Sequence, residues 1–221
     1  MEKSIAAAER YETGALLAAA GGFLDAYTYL GRGHVFANAQ TGNMVLMGMH
    51  LFAGKWRESV VYAIPIFAFF LGVYIAEIFK SRFRNNRLHW QQAVLLIEMA
   101  VIAGVAFLPA AEYDQPANIL VSFVCALQVE SFRRVNGQAF ATTMCTGNLR
   151  SATELLYLYR TGRDRENLKK SLQYFGIILF FIIGAASGGL LTGLLGIYAV
   201  LIALPFLGAA LFLMHKGETG R

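Results

Sequence analysis

The chain has 221 residues, 57% hydrophobic and 15% charged, with a mean hydropathy of +0.50. A soluble domain carries about 25% charged residues, so the composition points away from one and toward a helical membrane protein. The net charge of +5 does not indicate nucleic acid, because the basic residues cluster in short loops beside apolar runs, the distribution that sets membrane orientation.

In chain order, Met1 to Ala20 makes a poor signal peptide. Glu2, Glu9 and Glu12 precede an apolar run broken at Gly21 and Gly22, so the segment is expected to stay attached as a short interfacial helix. Helix one is expected over Thr13 to Leu30, ending at the breakers Gly31-Arg32-Gly33-His34. Val35 to Gln40 reads as extended chain, and Met44 to Ala53 as a helix too short to cross. About 12 helical residues cover about 18 Å, against about 30 Å of hydrocarbon. Ser59 to Phe79 is a full span containing Pro65, followed by the basic Lys80, Arg82, Arg84 and Arg87. Ala93 to Leu108 spans again, and Ala110 to Gln115 is a loop without Lys or Arg. Asn118 to Phe132 spans next, Arg133-Arg134 marks a membrane surface, and Asn136-Gly137 breaks the helix. A second short helix then runs from Thr146 to about Tyr159. After Arg160, Arg163, Arg165, Lys169 and Lys170 come two long spans, Ser171 to Leu191 and Leu194 to Met214, parted near 193–196.

The segment Val35 to Gly48, VFANAQTGNMVLMG, has a partner in Phe140 to Ala152, FATTMCTGNLRSA. Thr41, Gly42 and Asn43 stand 105 positions before Thr146, Gly147 and Asn148, and the same offset lays Asp25 on Glu130 and Tyr27 on Phe132. This indicates an internal duplication, with repeat one over 12–110 and repeat two over 116–215 of a single membrane domain. If both short helices crossed, one of the two most basic loops would face outward. If each turns back on its own side, both loops and both termini face the cytoplasm, leaving only Arg32, Lys55 and Arg57 outside. The expected fold is therefore an all-α polytopic bundle of two inverted repeats, each with three spanning helices and one re-entrant half-helix.

In that arrangement the extended pieces dip to mid-membrane from opposite faces. Thr41 and Thr146 are natural N-caps, Gly42 and Gly147 admit close approach, and Asn43 and Asn148 present amides near the centre. These six residues are the expected solute contacts. The competing reading is that Thr-Gly-Asn merely starts a helix, with Asn satisfying a neighbouring carbonyl. Asp25, Glu130 and Glu98 are acids inside apolar helices, which marks them for ion or proton coupling. Against this, Glu130 has Arg134 one turn on, either Asp25 or Glu130 could cap its half-helix, and Glu98 could make an interior hydrogen bond. Glu77 with Lys80 and Arg150 with Glu154 read as local pairs. Gly184/Gly188 and Gly189/Gly193 fit close helix packing within one chain or between subunits, so a homo-oligomer stays open. Cys125 and Cys145 read as buried, reduced and inert.

No H-E-x-x-H, G-x-S-x-G or Walker motif is present, and no spacing reads as a metal site, so neither an enzyme nor a cofactor is expected. The segment GGFLDAYTYL at Gly21 to Leu30, QTGN at Gln40 to Asn43 and the later FATTMCTGN resemble the YoaK-like family of bacterial membrane proteins, a domain of unknown function. The resemblance covers almost the whole chain and implies about six spans in a bacterial cell (inner) membrane. The functional expectation is transport of a small solute or ion between the repeats, by a carrier or a channel. The alternative is a membrane sensor or scaffold acting through its basic loops.

Overall fold

The computed structural model describes residues 7–82 and 87–219, with side chains at 87–89 and 217–219 left aside. The first six residues, Arg84, the Arg87 side chain and Arg221, all assigned above to the cytoplasmic ends, lie outside the described residues. The fold is all-α. After a short 3-10 turn at Ala7–Glu9 come α1 (Tyr11–Gly31), α2 (Gln40–Phe52), α3 (Trp56–Arg82), α4 (Arg87–Val105) and α5 (Asp114–Ser131). A small hairpin of β1 (Arg134–Val135) and β2 (Gln138–Ala139) precedes α6 (Cys145–Gly162) and α7 (Arg165–Leu195). A 3-10 stretch, Gly196–Ile202, leads to α8 (Ala203–Thr219). The hairpin pairs Arg134 with Ala139 and Val135 with Gln138, and Asn136 and Gly137 turn it with φ of 49° and 77°. An Asn-Gly pair is what a two-residue turn requires.

Two apolar stretches, Trp56–Arg82 and Arg165–Lys216, are long enough to cross a bilayer, with mean hydropathies of 2.1 and 2.4. The second comprises two helices, because Gly196 at φ 59° turns the chain after Leu195. Helices α1 and α5 form the interior. Fourteen of the 21 residues of α1 and 11 of the 18 of α5 are buried, against 6 of 27 in α3 and 6 of 31 in α7. An interior helix faces protein on most sides, so lipid does not set its composition.

Packing directions follow from residue contacts. Helices α1 and α7 run parallel in intimate contact: a Cβ at Gly22 would strike the Phe181 carbonyl, one at Gly184 the Ala19 carbonyl and one at Gly188 the Phe23 carbonyl. The small residues at Gly184/Gly188 thus serve packing within one chain. Helices α3 and α5 run parallel in the same way, with Gly72 against the Phe123 carbonyl and Lys80 beside Glu130. By contrast α1 and α5 are antiparallel: Gln128 lies at Leu17 near the start of α1, and Asn118 Nδ2 donates to Arg32 O at its end.

The halves correspond further than the Thr-Gly-Asn segments. Ser59, Tyr62 and Gly72 of α3 stand 112 positions before Ser171, Tyr174 and Gly184 of α7. Ser59 Oγ donates to Met47 O at 3.0 Å, and Ser171 Oγ donates to Ala152 O at 2.7 Å, the two acceptors being 105 positions apart. Each half-helix is thereby tied to the helix after it by the same bond.

Candidate functional site

Both turns are built on one device. The Phe36 N–H donates to Asn43 Oδ1 at 2.9 Å, and Asn43 Nδ2 donates back to Phe36 O at 2.8 Å. In the second half Ala141 N–H donates to Asn148 Oδ1 at 3.4 Å, and Asn148 Nδ2 donates to Ala141 O at 2.6 Å. Each asparagine mimics a strand partner seven residues back and closes the chain into the helix entry. Asn43 also donates to Gln40 Oε1 at 2.9 Å, so its amide nitrogen is fully engaged by protein. Asn43 and Asn148 are buried, whereas Thr41, Thr146 and Gly147 are exposed on the outer side of the half-helices. Gly42 serves packing, since a Cβ there would lie 2.9 Å from the Phe36 ring. The threonines do not cap: α2 starts at Gln40 after Ala39 and α6 at Cys145 after Met144, with no side-chain cap bond in either. Each Thr stands two places past the cap position, and the asparagine clamp sets the entry instead.

The acids diverge. Asp25 is 5% exposed, and its Oδ1 accepts from the Asn38 N–H at 2.6 Å and the Ala39 N–H at 3.3 Å, holding the positive end of α2. Glu130, its counterpart by position, turns toward the helix ends and pairs with Lys80 at 3.3 Å and Arg133 at 3.1 Å; the partner expected from spacing was Arg134. Glu77 joins that cluster through Lys80 at 2.9 Å. Glu98 is fully buried beside Gln128, which donates to both carboxyl oxygens at 2.7 and 3.1 Å when its amide nitrogen faces them.

The two turns meet. A Cβ on Gly21, the middle residue of α1, would run into the Thr143 methyl group and lie 3.6 Å from Asn38 Nδ2. Asn38 and Thr143 stand 105 positions apart. Asn38 Nδ2 donates to Gly21 O at 3.3 Å, and Asp25 lies one turn further along the same face. Non-helical backbone at Val35, Ala37, Thr142 and Thr143 is therefore enclosed by protein rather than left to an apolar solvent.

The profile of the family described as "Protein of unknown function (DUF1275)" matches residues 13–213. The chain belongs to that family. UPF0700 transmembrane protein YoaK of Bacillus subtilis (strain 168) is 30% identical to it over 157 residues, covering 67% of this chain and 68% of that protein. No solved structure matches. Together with the apolar helices, this makes the chain a membrane protein.

The DUF1275 match takes in both turns and all eight α-helices except the first two residues of α1 and the last residues of α8. Three features of this family member were missed in the sequence. Arg32, expected to sit unpaired at the outer face, is fully buried and donates to Tyr27 Oη at 2.8 Å, Val105 O at 3.1 Å, and Pro109 O and Asp114 at 3.3 Å. It pins the end of α1 to the loop before α5. Asn38 carried no signal, being one polar residue in an apolar run. The third was legible: Gln115, Asn118 and Ser122 fall at i, i+3 and i+7 along one face of α5. A groove of about 770 Å³ lined by Tyr11, Tyr159, Arg165 and Lys169 opens near the start of α1, away from the turns.

Proposed function

We propose that the chain is a membrane transport protein of two inverted repeats, moving a small solute through the region where the re-entrant turns meet. The observation that carries this reading is the approach of Asn38 and Thr143 to Gly21, because equivalent positions of two copies meet only near an axis relating them. The antiparallel α1 and α5 support an axis in the membrane plane. So does the length of α2, 13 residues or about 20 Å, too short to span. Helix α6, at 18 residues, is longer than its sequence suggested. Its entry nevertheless lies at Tyr174, whose hydroxyl donates to Ala139 O at 2.8 Å, and α7 runs on to Leu195. The asparagines of the two Thr-Gly-Asn segments then shape the turns, while Asp25, Asn38, Thr142 and Thr143 face the path.

Single cysteines placed in a Cys125→Ala, Cys145→Ala background test the topology. Gly54→Cys and Glu112→Cys should react with an impermeant thiol reagent on intact cells, and Thr161→Cys only after permeabilisation. Protection of Gly54→Cys would mean that α2 crosses. Proteoliposome swelling with urea, glycerol and glycine then tests flux, with Asn38→Leu expected to slow any solute that the wild type passes.

One observation favours a second reading, a sensor or scaffold in the cell membrane that moves nothing. Asn43 and Asn148 spend their amides on their own turns, as that reading requires. No accelerated swelling with any solute would leave it standing.

A further inference from the structure

We propose that the meeting point of the turns holds a small monovalent cation, bound by Asp25 Oδ2, Asn38 Oδ1 and Thr142 Oγ1 and reached along the buried face of α5. This deepens the transport reading and rests on it for the orientation of the chain. Asp25, Asn38 and Thr142 are 5%, 7% and 0% exposed, and each keeps one oxygen without a hydrogen-bond partner among the described residues. An unsatisfied buried polar atom is costly, more so when charged, so three together call for an occupant.

The Asp25 and Asn38 oxygens belong to one locality, and Thr142 belongs to the second turn, which reaches that locality through its neighbour Thr143. Asn38 bonds the Asp25 carboxyl through its backbone N–H and Gly21 O through its amide nitrogen, which fixes the amide oxygen as the free atom. Thr143, next to Thr142, rests on Gly21 from the second turn. The polar atoms left over are all oxygens, and no described cation forms an ion pair with Asp25. Oxygen-only sets with one carboxylate suit a hard cation of low charge. The Asp25 carboxylate offsets the positive end of α2 that it holds, since a half-helix N-terminus by itself favours anionic groups.

A route leads there from the outer end. Gln115 Oε1, Asn118 Oδ1 and Ser122 Oγ are also buried without partners, and their spacing puts them on one face of α5. Cys125 continues that face and lies against Asn38. A file of unsatisfied oxygens suits a thread of water or a dehydrating ion.

The test is thermal unfolding of the full chain in detergent, in sodium, potassium, lithium or choline chloride at matched ionic strength. One alkali ion should raise the midpoint above choline saturably, by about 5 °C at full occupancy. Asp25→Asn and Thr142→Val should each abolish that shift. Thr192→Val, which removes another buried, unpartnered hydroxyl packed beside Gly31 rather than on Gly21, should keep it. Thr142→Val preserves side-chain shape, so the proposal remains testable where Asp25→Asn misfolds. Equal midpoints in every salt would overturn the site, as would retention of the shift in Thr142→Val. A response to pH alone, identical in all salts, would also overturn it by assigning a proton. Flux of urea, glycerol or glycine with no ion shift would sink this site and spare the transport reading; an ion shift without flux would do the reverse.

Discussion

The two turns share an asparagine clamp and differ in what holds them to the rest of the molecule. The first, before α2, is tied by a carboxylate: Asp25 reaches across from α1 to two backbone N–H groups. Among the described residues, no carboxylate accepts a hydrogen bond from the second turn, before α6, although Asp25 lies near enough to act on Cys145 through its charge. This second turn is held by the β1–β2 hairpin, by Tyr174 Oη on Ala139 O, and by the Phe140 ring stacked 3.7 Å from the Tyr174 ring. The difference separates what such a turn needs from what it tolerates. Closing the backbone on itself is common to both, whereas the means of attachment varies. Glu130, freed from its turn, has joined a cluster with Lys80 and Arg133 at the helix ends.

The largest effect should come from the contacts on which the comparison depends. Gly184→Val places a side chain against the Ala19 carbonyl, and Gly72→Val places one 2.5 Å from the Phe123 carbonyl. Backbone cannot yield as a side chain does, so each substitution should cost about 3 kcal/mol or more. Size-exclusion profiles of detergent extracts should show loss of the monodisperse protein in both. If only one collapsed, the halves would not be packed on equivalent seams.

Next come the clamps. Asn43→Ala strands a partly buried N–H and C=O at Phe36, and Asn148→Ala does the same at Ala141, for about 1–2 kcal/mol each. Asn43 has the shorter accepted bond, 2.9 Å against 3.4 Å, and the extra bond to Gln40, so its loss should be the greater. Thermal unfolding midpoints of the two variants measure this order. Reversal would show that the second turn relies on its clamp more than the geometry indicates.

The share of this that was legible in the sequence follows from what periodicity and spacing record. The apolar runs located each long helix, though α4 and α7 start six residues earlier than expected and α8 nine residues later than Leu194, after the 3-10 stretch, and the Thr-Gly-Asn offset located both turns. The equivalence of α3 and α7 was hidden because α6 continues to Gly162, where Arg163 at φ 57° ends it, while α2 stops at Phe52. That insertion shifts the offset from 105 to 112 and breaks any single alignment. The caps were misassigned for a local reason: a Thr before Gly-Asn looks like a helix start, but the clamp begins each helix one residue earlier. The grip of Asp25 on Asn38, and the meeting of Asn38 with Thr143, arise from packing between distant segments, which no local pattern reports.

Asp25 and Glu130 give the finest test of the comparison, because they occupy equivalent positions and do unlike work. Asp25→Ala removes the acceptor from two enclosed N–H groups and should cost about 1–3 kcal/mol. Glu130→Gln should cost less than about 1 kcal/mol, since Lys80 and Arg133 have side chains 42% and 63% exposed and water screens the pairs. Salt distinguishes them further. The Glu130 effect should fade as ionic strength rises and the Debye length shrinks, whereas the Asp25 effect should persist, because its partners are backbone amides shut away from solvent. Unfolding midpoints of both variants at low and high salt read this directly. A Glu130 effect as large and salt-resistant as that of Asp25 would mean that the second acid also supports its turn, and that the two halves are more alike than these contacts indicate.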